Sequence, residues 1–200
     1  MLNNQLRRPG KIFIVSGSSG SGKTTLLKRA QQKRAFKGNL IKITTLTTRP
    51  PRAKEKNGRD YQFVDKTEFL RRKKNGEFAE SQEIYGDYYA TPKKNLQEVI
   101  ASGKDALLCV DVKGGLALKR LFPKKASLIF IQAPDFESLK KRLMQRSSEN
   151  SESLRKRLNI AQEEMKHAKW YDYAIVNDVV GAAVAQLSAI IQAERLKVRA

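Results

Sequence analysis

The chain has 200 residues, of which 40 are lysine or arginine and 20 are aspartate or glutamate, so its formal net charge is +20. This length predicts one domain, and a hydrophobic share of 40% argues against a disordered chain. The single cysteine and single histidine exclude an internal disulfide and any Cys- or His-rich metal site. No apolar run approaches the roughly 20 residues of a membrane helix. We therefore expect a soluble, cytoplasmic, basic protein.

The positive charge is spread along the chain rather than gathered in one tail or arm. Such charge attracts anions, and the candidates are nucleic acid, acidic membrane surfaces and phosphorylated small molecules. Runs of charge are more often solvated surface than binding sites. The charge alone therefore does not choose a partner, and a salt-sensitive role in nucleic-acid binding stays open as one alternative.

Short apolar runs alternate with helical periodicity, which is typical of α/β proteins with a parallel sheet. The runs are nearly continuous in apolar residues, as expected for strands that are covered on both faces. The predicted strands are residues 11–16, 40–44, 105–112, 127–132 and 173–176. The predicted helices are residues 23–34, 92–102, 135–146, 152–168 and 182–196.

Residues 45–89 interrupt this alternation. They contain two prolines, three glycines, short aromatic strand-like pieces and only one short predicted helix, near 66–75. This stretch is interpreted as an inserted lobe rather than another strand–helix unit. A second interruption, SSENSES at 147–153, is a polar link between two predicted helices that carry arginines.

A glycine-rich loop follows the first predicted strand and opens the first predicted helix. Its sequence, GSSGSGKT at 17–24, fits the pattern G-x-x-x-x-G-K-[ST]. Glycines let successive backbone N–H groups point at phosphate oxygens, and the helix N-terminus adds partial positive charge. Lys23 would reach the β- and γ-phosphates of a nucleoside triphosphate, and Thr24 would hold Mg²⁺. The predicted triphosphate site comprises Gly17, Ser18, Ser19, Gly20, Ser21, Gly22, Lys23, Thr24 and Thr25.

Four further motifs follow in order: TTRPPR at 47–52, NGRDY at 57–61, EFAE at 77–80 and GDYYAT at 86–91. With the phosphate loop and YDYAIVND at 171–178, they make residues 11 to about 195 resemble the guanylate kinase family, whose members use ATP to phosphorylate GMP. The resemblance implies a P-loop NTPase three-layer α/β sandwich with a parallel sheet. It also implies that one domain, 1–200, is divided into a core (1–43, 92–134 and 159–200), an inserted mixed α+β GMP-binding lobe (44–91) and a helical lid (135–158).

The chemistry of the inserted lobe suits a monophosphate. Arg49 and Arg52, held by a Pro-Pro step, offer two guanidinium forks to a phosphate dianion. The resemblance implies that the hydroxyls of Tyr61 and Tyr89 contact the same phosphate. Taken singly, each tyrosine is better explained by packing and Arg49 by a solvated turn, but the ordered set reverses that preference.

A carboxylate is the natural reader of guanine, because guanine presents two adjacent donors, N1–H and N2–H₂. Glu80 is the expected base reader. Asp111 is expected beside it, and Thr45 and Thr91 are expected to contribute hydroxyls.

The resemblance also implies a lid that brings Arg142, Arg146 and Arg157 to the transferring phosphoryl group, where positioning and charge neutralisation dominate. By resemblance only, Asn177 is expected near the adenine. The chain departs from the family where many members carry D-x-D, because Cys109 occupies the first position and Asp111 the second. This departure weakens the expected support for the water shell of Mg²⁺.

The predicted function is phosphoryl transfer from ATP to GMP, and to dGMP, with Mg²⁺ as cofactor and no membrane or specific nucleic acid as partner. The protein is expected to be a monomer or homodimer. One alternative is a non-catalytic guanylate kinase-like binding module, but such modules have typically lost the phosphate loop that is intact here. Another is a related kinase acting on ribose bisphosphate, which has no base edge for Glu80 to read.

Overall fold

The computed structural model describes residues 9–144 and 151–198, apart from the side chains of residues 151–154, 156 and 157. The elements of the first half are β1 (Ile12–Ser16), α1 (Lys23–Gln32), β2 (Leu40–Lys42), β3 (Leu46–Thr47), β4 (Gln62–Phe63), α2 (Lys66–Lys74), β5 (Phe78–Ile84), β6 (Asp87–Pro92) and α3 (Lys93–Ala101). The second half contributes β7 (Asp105–Cys109), α4 (Val112–Leu121), β8 (Ala126–Gln132), α5 (Phe136–Met144), α6 (Ser151–Lys166), β9 (Tyr173–Val176) and α7 (Val180–Leu196).

The larger sheet of the described residues has the strand order β2-β7-β1-β8-β9, and every neighbouring pair is parallel. Its central strand β1 is fully buried because helices cover both faces. Alternate residues of β1 point to opposite faces, so Phe13 and Val15 pack toward α1 and α7, whereas Ile12 and Ile14 pack toward α3 and α4. The result is the predicted three-layer arrangement, which confirms the α/β class with a parallel sheet.

The smaller sheet has the order β4-β3-β6-β5 and mixes one parallel pair with two antiparallel pairs. It has its own small core, in which the ring of Phe69 from α2 packs against Phe78 and Tyr88. The hairpin between β5 and β6 turns at Tyr85 and Gly86, which both have positive φ, of 56° and 82°. Two such residues in a row match the twist of a tight β-hairpin.

One helix, α4, is not predicted by the sequence, and the third strand ends earlier than expected. The predicted strand 105–112 stops at Cys109, because Asp111 caps a helix by accepting a hydrogen bond from the backbone N–H of Gly114 at 3.0 Å. The sequence does not predict this helix because it contains Gly114 and Gly115, and glycine is a poor helix former. A Cβ on Gly115 would lie 2.9 Å from the hydroxyl oxygen of Tyr171, so close packing excludes a larger residue.

The other predicted elements are present with small shifts of their ends. The predicted helix 135–146 corresponds to α5, which ends at Met144, and residues 145 and 146 lie outside the described residues. In the part of the chain that the structure describes, no helix combines the length and the apolar character needed to cross a membrane.

Candidate active site

The phosphate loop connects the buried end of β1 to the start of α1. Gly17, Gly20 and Gly22 have positive φ of 141°, 87° and 89°, a region that favours glycine. Space also requires glycine, because a Cβ on Gly17 would lie 2.0 Å from the carbonyl oxygen of Ile131. A Cβ on Gly22 would lie 2.2 Å from Nδ2 of Asn177. The backbone of the loop therefore packs directly against Ile131 and Asn177 and leaves no room for a side chain at Gly17 or Gly22.

The positive end of the loop is formed by Lys23 and the first turn of α1. The Nζ of Lys23 donates to the carbonyl oxygens of Gly17 at 2.5 Å and Ser18 at 2.9 Å, so the ammonium lies across the loop. No described side chain caps α1, and its first turn contains no acidic residue. Its backbone N–H groups therefore remain available for an anion.

Two of the predicted site residues, Asn177 and Arg142, stabilise the phosphate loop, Asn177 directly and Arg142 through Asn177. The buried side chain of Asn177, which follows β9, donates from Nδ2 to the carbonyl oxygen of Ser21 at 2.7 Å. Arg142 on α5 donates from Nη2 to the carbonyl oxygen of Asn177 at 3.0 Å. In this conformation Arg142 holds the end of β9. Arg146 and the side chain of Arg157 lie outside the described residues.

The monophosphate side of the site is built around Arg49. Its Nη2 contacts both carboxylate oxygens of Glu55, at 3.0 and 2.8 Å, and its guanidinium carbon lies 5.6 Å from the ring centre of Tyr61. Burial alone would lower the pKa of Arg49, but the hydrogen bonds and charge of Glu55 outweigh it and raise that pKa. The backbone N–H of Arg52 also donates to Glu55, at 2.9 Å, while the Arg52 side chain is exposed.

The two tyrosines of the predicted phosphate site are neighbours. The rings of Tyr61 and Tyr89 meet edge to face, with centres 6.2 Å apart. Burial raises the pKa of Tyr61. Its hydroxyl therefore stays protonated at neutral pH and can donate a hydrogen bond to a phosphate oxygen.

The predicted guanine readers converge at the start of α4. A Cβ on Gly114 would lie 2.8 Å from Oε2 of Glu80 and 2.7 Å from Oδ1 of Asp111, so both carboxylates approach this glycine. The hydroxyl of Thr91 donates to Oε1 of Glu80 at 2.6 Å. Burial raises the pKa of Glu80 to about 7, against the hydrogen bond from Thr91 and with the added effect of the Asp111 charge.

A cavity of about 400 Å³ joins the two halves of the site. The predicted residues that line it are Gly17, Ser19, Gly20, Gly22, Lys23, Thr24, Thr45, Arg49, Arg52, Tyr61, Glu80, Tyr89 and Asp111. The predicted residues outside its lining are Ser18, Ser21, Thr25, Thr91, Arg142 and Asn177. Of these, Thr91, Asn177 and Arg142 act on lining residues or on the loop through the contacts above.

Sequence reasoning missed several residues of the site. Glu55, which fixes Arg49, lies between the TTRPPR and NGRDY motifs and reads as one charge in a polar loop. Glu164 lines the cavity from α6, and the pattern of that helix gives no sign of it. Tyr85 also lines the cavity, from the β5–β6 hairpin. Its only signal is its place beside Gly86.

The chain is similar to known proteins over nearly its whole length. The protein-family model described as guanylate kinase matches residues 9–194. A guanylate kinase of Nitrosospira multiformis is 41% identical over 189 residues, which cover 94% of this chain and 88% of that protein. A guanylate kinase of Nitrosomonas europaea is 40% identical over 186 residues, covering 93% of this chain and 90% of that protein.

A solved structure shows the same relationship in three dimensions. The crystal structure of guanylate kinase from Anaplasma phagocytophilum superposes with a TM-score of 0.79 at 34% sequence identity. The match covers 94% of this chain and 87% of that one. Sequence and fold agree over nearly the full length, and the chain belongs to the guanylate kinase family.

Proposed function

We propose that this protein transfers the γ-phosphoryl group of ATP to GMP, and to dGMP, giving ADP and GDP or dGDP. The observation that carries the proposal is the shared cavity. One side of the cavity is lined by the phosphate loop, whose backbone N–H groups can bind a polyphosphate. The other side is lined by two arginines, two tyrosines and the carboxylate expected to bind guanine, which are Arg49, Arg52, Tyr61, Tyr89 and Glu80. Two nucleotides bound there would face each other with their phosphates between them.

On the donor side, the loop N–H groups and the start of α1 bind the phosphates of ATP. Lys23 exchanges its hydrogen bonds to the carbonyls of Gly17 and Ser18 for contacts with the β- and γ-phosphates. Phosphoryl transfer requires little covalent chemistry from the protein, so this positive charge acts by position, as the transition state spreads charge over the phosphoryl oxygens.

On the acceptor side, Arg49 and Arg52 bind the GMP phosphate with the hydroxyls of Tyr61 and Tyr89. An oxygen of this dianion forms a bond to the γ-phosphorus as the bond from that phosphorus to the β–γ bridging oxygen breaks, and ADP leaves with the electron pair. The attacking oxygen carries no proton in the dianion, so no general base is needed. Arg142, Arg146 and Arg157 stay predicted contacts of the transferring group.

Guanine selectivity follows from Glu80. Its ionised carboxylate accepts from both N1–H and N2–H₂, while Thr91 fixes the orientation of the carboxylate and Asp111 lies beside it. Adenine presents an acceptor at N1 and would face the carboxylate with unfavourable electrostatics.

The residues present fit a Mg²⁺ ion bound with ATP. Thr24 offers toward the cavity a hydroxyl, a hard oxygen ligand of the kind that Mg²⁺ prefers, and Asp111 offers a carboxylate that would accept hydrogen bonds from the water ligands of the ion. Within the described ranges, no group of three or more His, Cys, Asp or Glu side chains could hold a metal alone, which suits an ion that keeps water ligands and binds through phosphates. When bound, Mg²⁺ neutralises charge on the β- and γ-phosphates.

The remaining expectations form part of the same proposal. Residues 44–91 act as the GMP-binding lobe and 135–158 as the lid, around a core of 1–43, 92–134 and 159–200. The protein acts in the cytoplasm as a monomer or homodimer. Closure of the lobe and lid would exclude water, which otherwise competes with GMP for the phosphoryl group.

The deciding experiment measures ADP release from ATP and Mg²⁺, with GMP, dGMP, AMP, UMP and ribose bisphosphate offered separately. Rapid release with GMP, or with GMP and dGMP alone, is the expected result. Release with ribose bisphosphate would instead identify the related kinase. No release with any acceptor would point to a binding module.

A further inference from the structure

The carboxylate of Glu164 lines the same cavity as the phosphate loop, although no motif includes this residue. It lies near the end of α6 and is partly buried. Lys23 and Asp111 line the same cavity as Glu164, and the charges of both groups act on its carboxyl group. Burial, opposed by Lys23 and assisted by Asp111, raises the pKa of Glu164 to about 7.

Packing fixes Glu164 relative to the phosphate loop. Ala161, one turn before Glu164, is buried in a cluster with Leu139 and Leu143 of α5. The same two leucines pack against the loop itself, since a Cβ on Gly20 would lie 3.3 Å from Leu139 and 3.2 Å from Leu143. The contacts from α6 through α5 to Gly20 thus fix the position of α6, and with it the backbone of Glu164, relative to the phosphate loop.

A carboxylate in this position is unfavourable for a polyphosphate by itself. Like charges in a partly buried cavity repel more strongly than in water, and Lys23 is the group expected to move onto the phosphates. Nearby Cys109 contributes no charge, because burial raises the pKa of its thiol. A cation between the phosphates and the carboxylate would turn the repulsion into attraction.

We propose that Glu164 is a positioning residue for the metal–nucleotide complex: with Asp111, it accepts hydrogen bonds from water ligands of the Mg²⁺ that Thr24 and the ATP phosphates hold. The assignment rests on the proposed function only in taking Mg²⁺ and ATP as the ligands of this side of the cavity. Glu164 then has opposite effects on nucleotide with and without metal.

The test is a binding experiment without GMP, so that no transfer occurs. At pH 8, above the pKa of Glu164, a non-hydrolysable ATP analogue is titrated calorimetrically into the wild type and Glu164→Gln, once in millimolar Mg²⁺ and once in EDTA. In Mg²⁺ the variant should bind about tenfold more weakly, in the range seen when a group supporting a metal site is removed. In EDTA the variant should bind as tightly as the wild type or more tightly, because a repulsive charge is gone.

Glu163 gives the matched control, since it is the preceding residue on α6, is exposed, and pairs with Lys166 at 2.6 Å on the surface. Glu163→Gln should change neither affinity. Glu164→Asp, which keeps the charge, should recover part of the response to Mg²⁺. The proposal is overturned if Glu164→Gln weakens binding equally in Mg²⁺ and EDTA, or changes neither. Neither result depends on GMP turnover, so the outcome is separate from the test of the proposed function.

Discussion

Lys23 is the residue whose removal should cost the most activity. Its ammonium is already at the loop, where it donates to the carbonyl oxygens of Gly17 and Ser18. We expect Lys23→Ala to lower kcat by about 10²- to 10³-fold, the usual cost of removing one donor to a developing charge, with an unchanged circular dichroism spectrum. Lys28→Ala, an exposed lysine on the same helix, is the control and should match the wild type. Near-normal turnover in Lys23→Ala would contradict the assigned role.

Glu80 makes GMP binding dependent on pH near neutrality. Its pKa of about 7 means that the ionised form, which accepts from both guanine donors, prevails above pH 7 and is lost as the pH falls. We expect the affinity for GMP to fall about tenfold from pH 8 to pH 6 as this carboxylate is protonated. Titration of GMP binding across this range is the measurement.

Glu80→Gln is the control for this pH profile. The GMP phosphate itself titrates near pH 6 in both proteins, like other phosphate monoesters, so only the difference between the two profiles reports on Glu80. The variant should bind GMP weakly at all pH values, with a shallower slope and a reduced preference for GMP over AMP. Parallel slopes in the two proteins, or retained selectivity, would place the base reader elsewhere.

At the scale of the element, the phosphate loop depends on the contact between Gly22 and Asn177. Gly22→Ala combines backbone strain at φ 89° with a Cβ placed 2.2 Å from the Asn177 amide nitrogen. Gly38→Ala has similar strain, at φ 79°, with no atom within 4 Å of the new Cβ. We expect Gly38→Ala to cost about 1 kcal/mol of unfolding free energy and to leave ATP binding intact.

Gly22→Ala should be more destabilising and should also lose most of its affinity for ATP, because the shift at Asn177 moves the loop N–H groups off the phosphates. Urea unfolding and titration with an ATP analogue measure the two effects. Equal losses in the two variants would show that the strain at positive φ, rather than the contact with Asn177, explains the glycine.

Elements defined by local sequence could be predicted, and elements defined by packing could not. The phosphate loop, β1 and α1 follow from contiguous residues, since glycine spacing and apolar runs act within a few positions. Helix α4 could not be predicted because its two glycines look like helix breakers. Gly114 leaves room for Glu80 and Asp111, and Gly115 leaves room for Tyr171. The local sequence pattern gives no sign of these contacts.

The same limit applies to single side chains in the site. Glu55 and Glu164 look like ordinary surface charges in the sequence. Glu55 gains its role by meeting Arg49 across a turn, and Glu164 gains its role through the packing of α6 on α5. The motif residues were predicted because the family resemblance implies that they meet in one site. Their spacing along the sequence does not show that by itself.

At the scale of the molecule, topology explains why the site forms where it does. In a parallel sheet the carboxyl ends of all strands meet at one edge, where ligands bind. The phosphate loop follows β1, Asp111 follows β7 and Asn177 follows β9, so three separated segments reach that edge. The smaller sheet adds the acceptor side, with Tyr89 and Thr91 on β6 and Glu80 on β5.

The cations that line the cavity, Lys23, Arg49 and Arg52, are part of a net charge of +20 and should act on the capture of anionic nucleotides rather than on the chemical step. Electrostatic attraction raises association rates and weakens as salt screens it. We expect kcat/KM for GMP to fall severalfold between 20 and 200 mM KCl while kcat changes little, measured by steady-state ADP release at each salt concentration. If the positive charge instead binds nucleic acid, duplex DNA should strongly inhibit ADP release at low salt and should not inhibit it at 200 mM KCl.

Reversing two charges far from the site tests whether nucleotide capture depends on the cations around the cavity or on the net charge of the whole molecule. Lys124 and Lys125 precede β8 at the end of the sheet opposite the cavity, and the seven residues of β8 span roughly 23 Å. This distance exceeds two Debye lengths at 0.1 M salt, about 10 Å each. The double variant Lys124→Glu, Lys125→Glu lowers the net charge by 4, yet it should keep the wild-type salt dependence of kcat/KM near 0.1 M. A flatter dependence in that variant would mean that capture responds to the charge of the whole molecule rather than to the cations around the cavity.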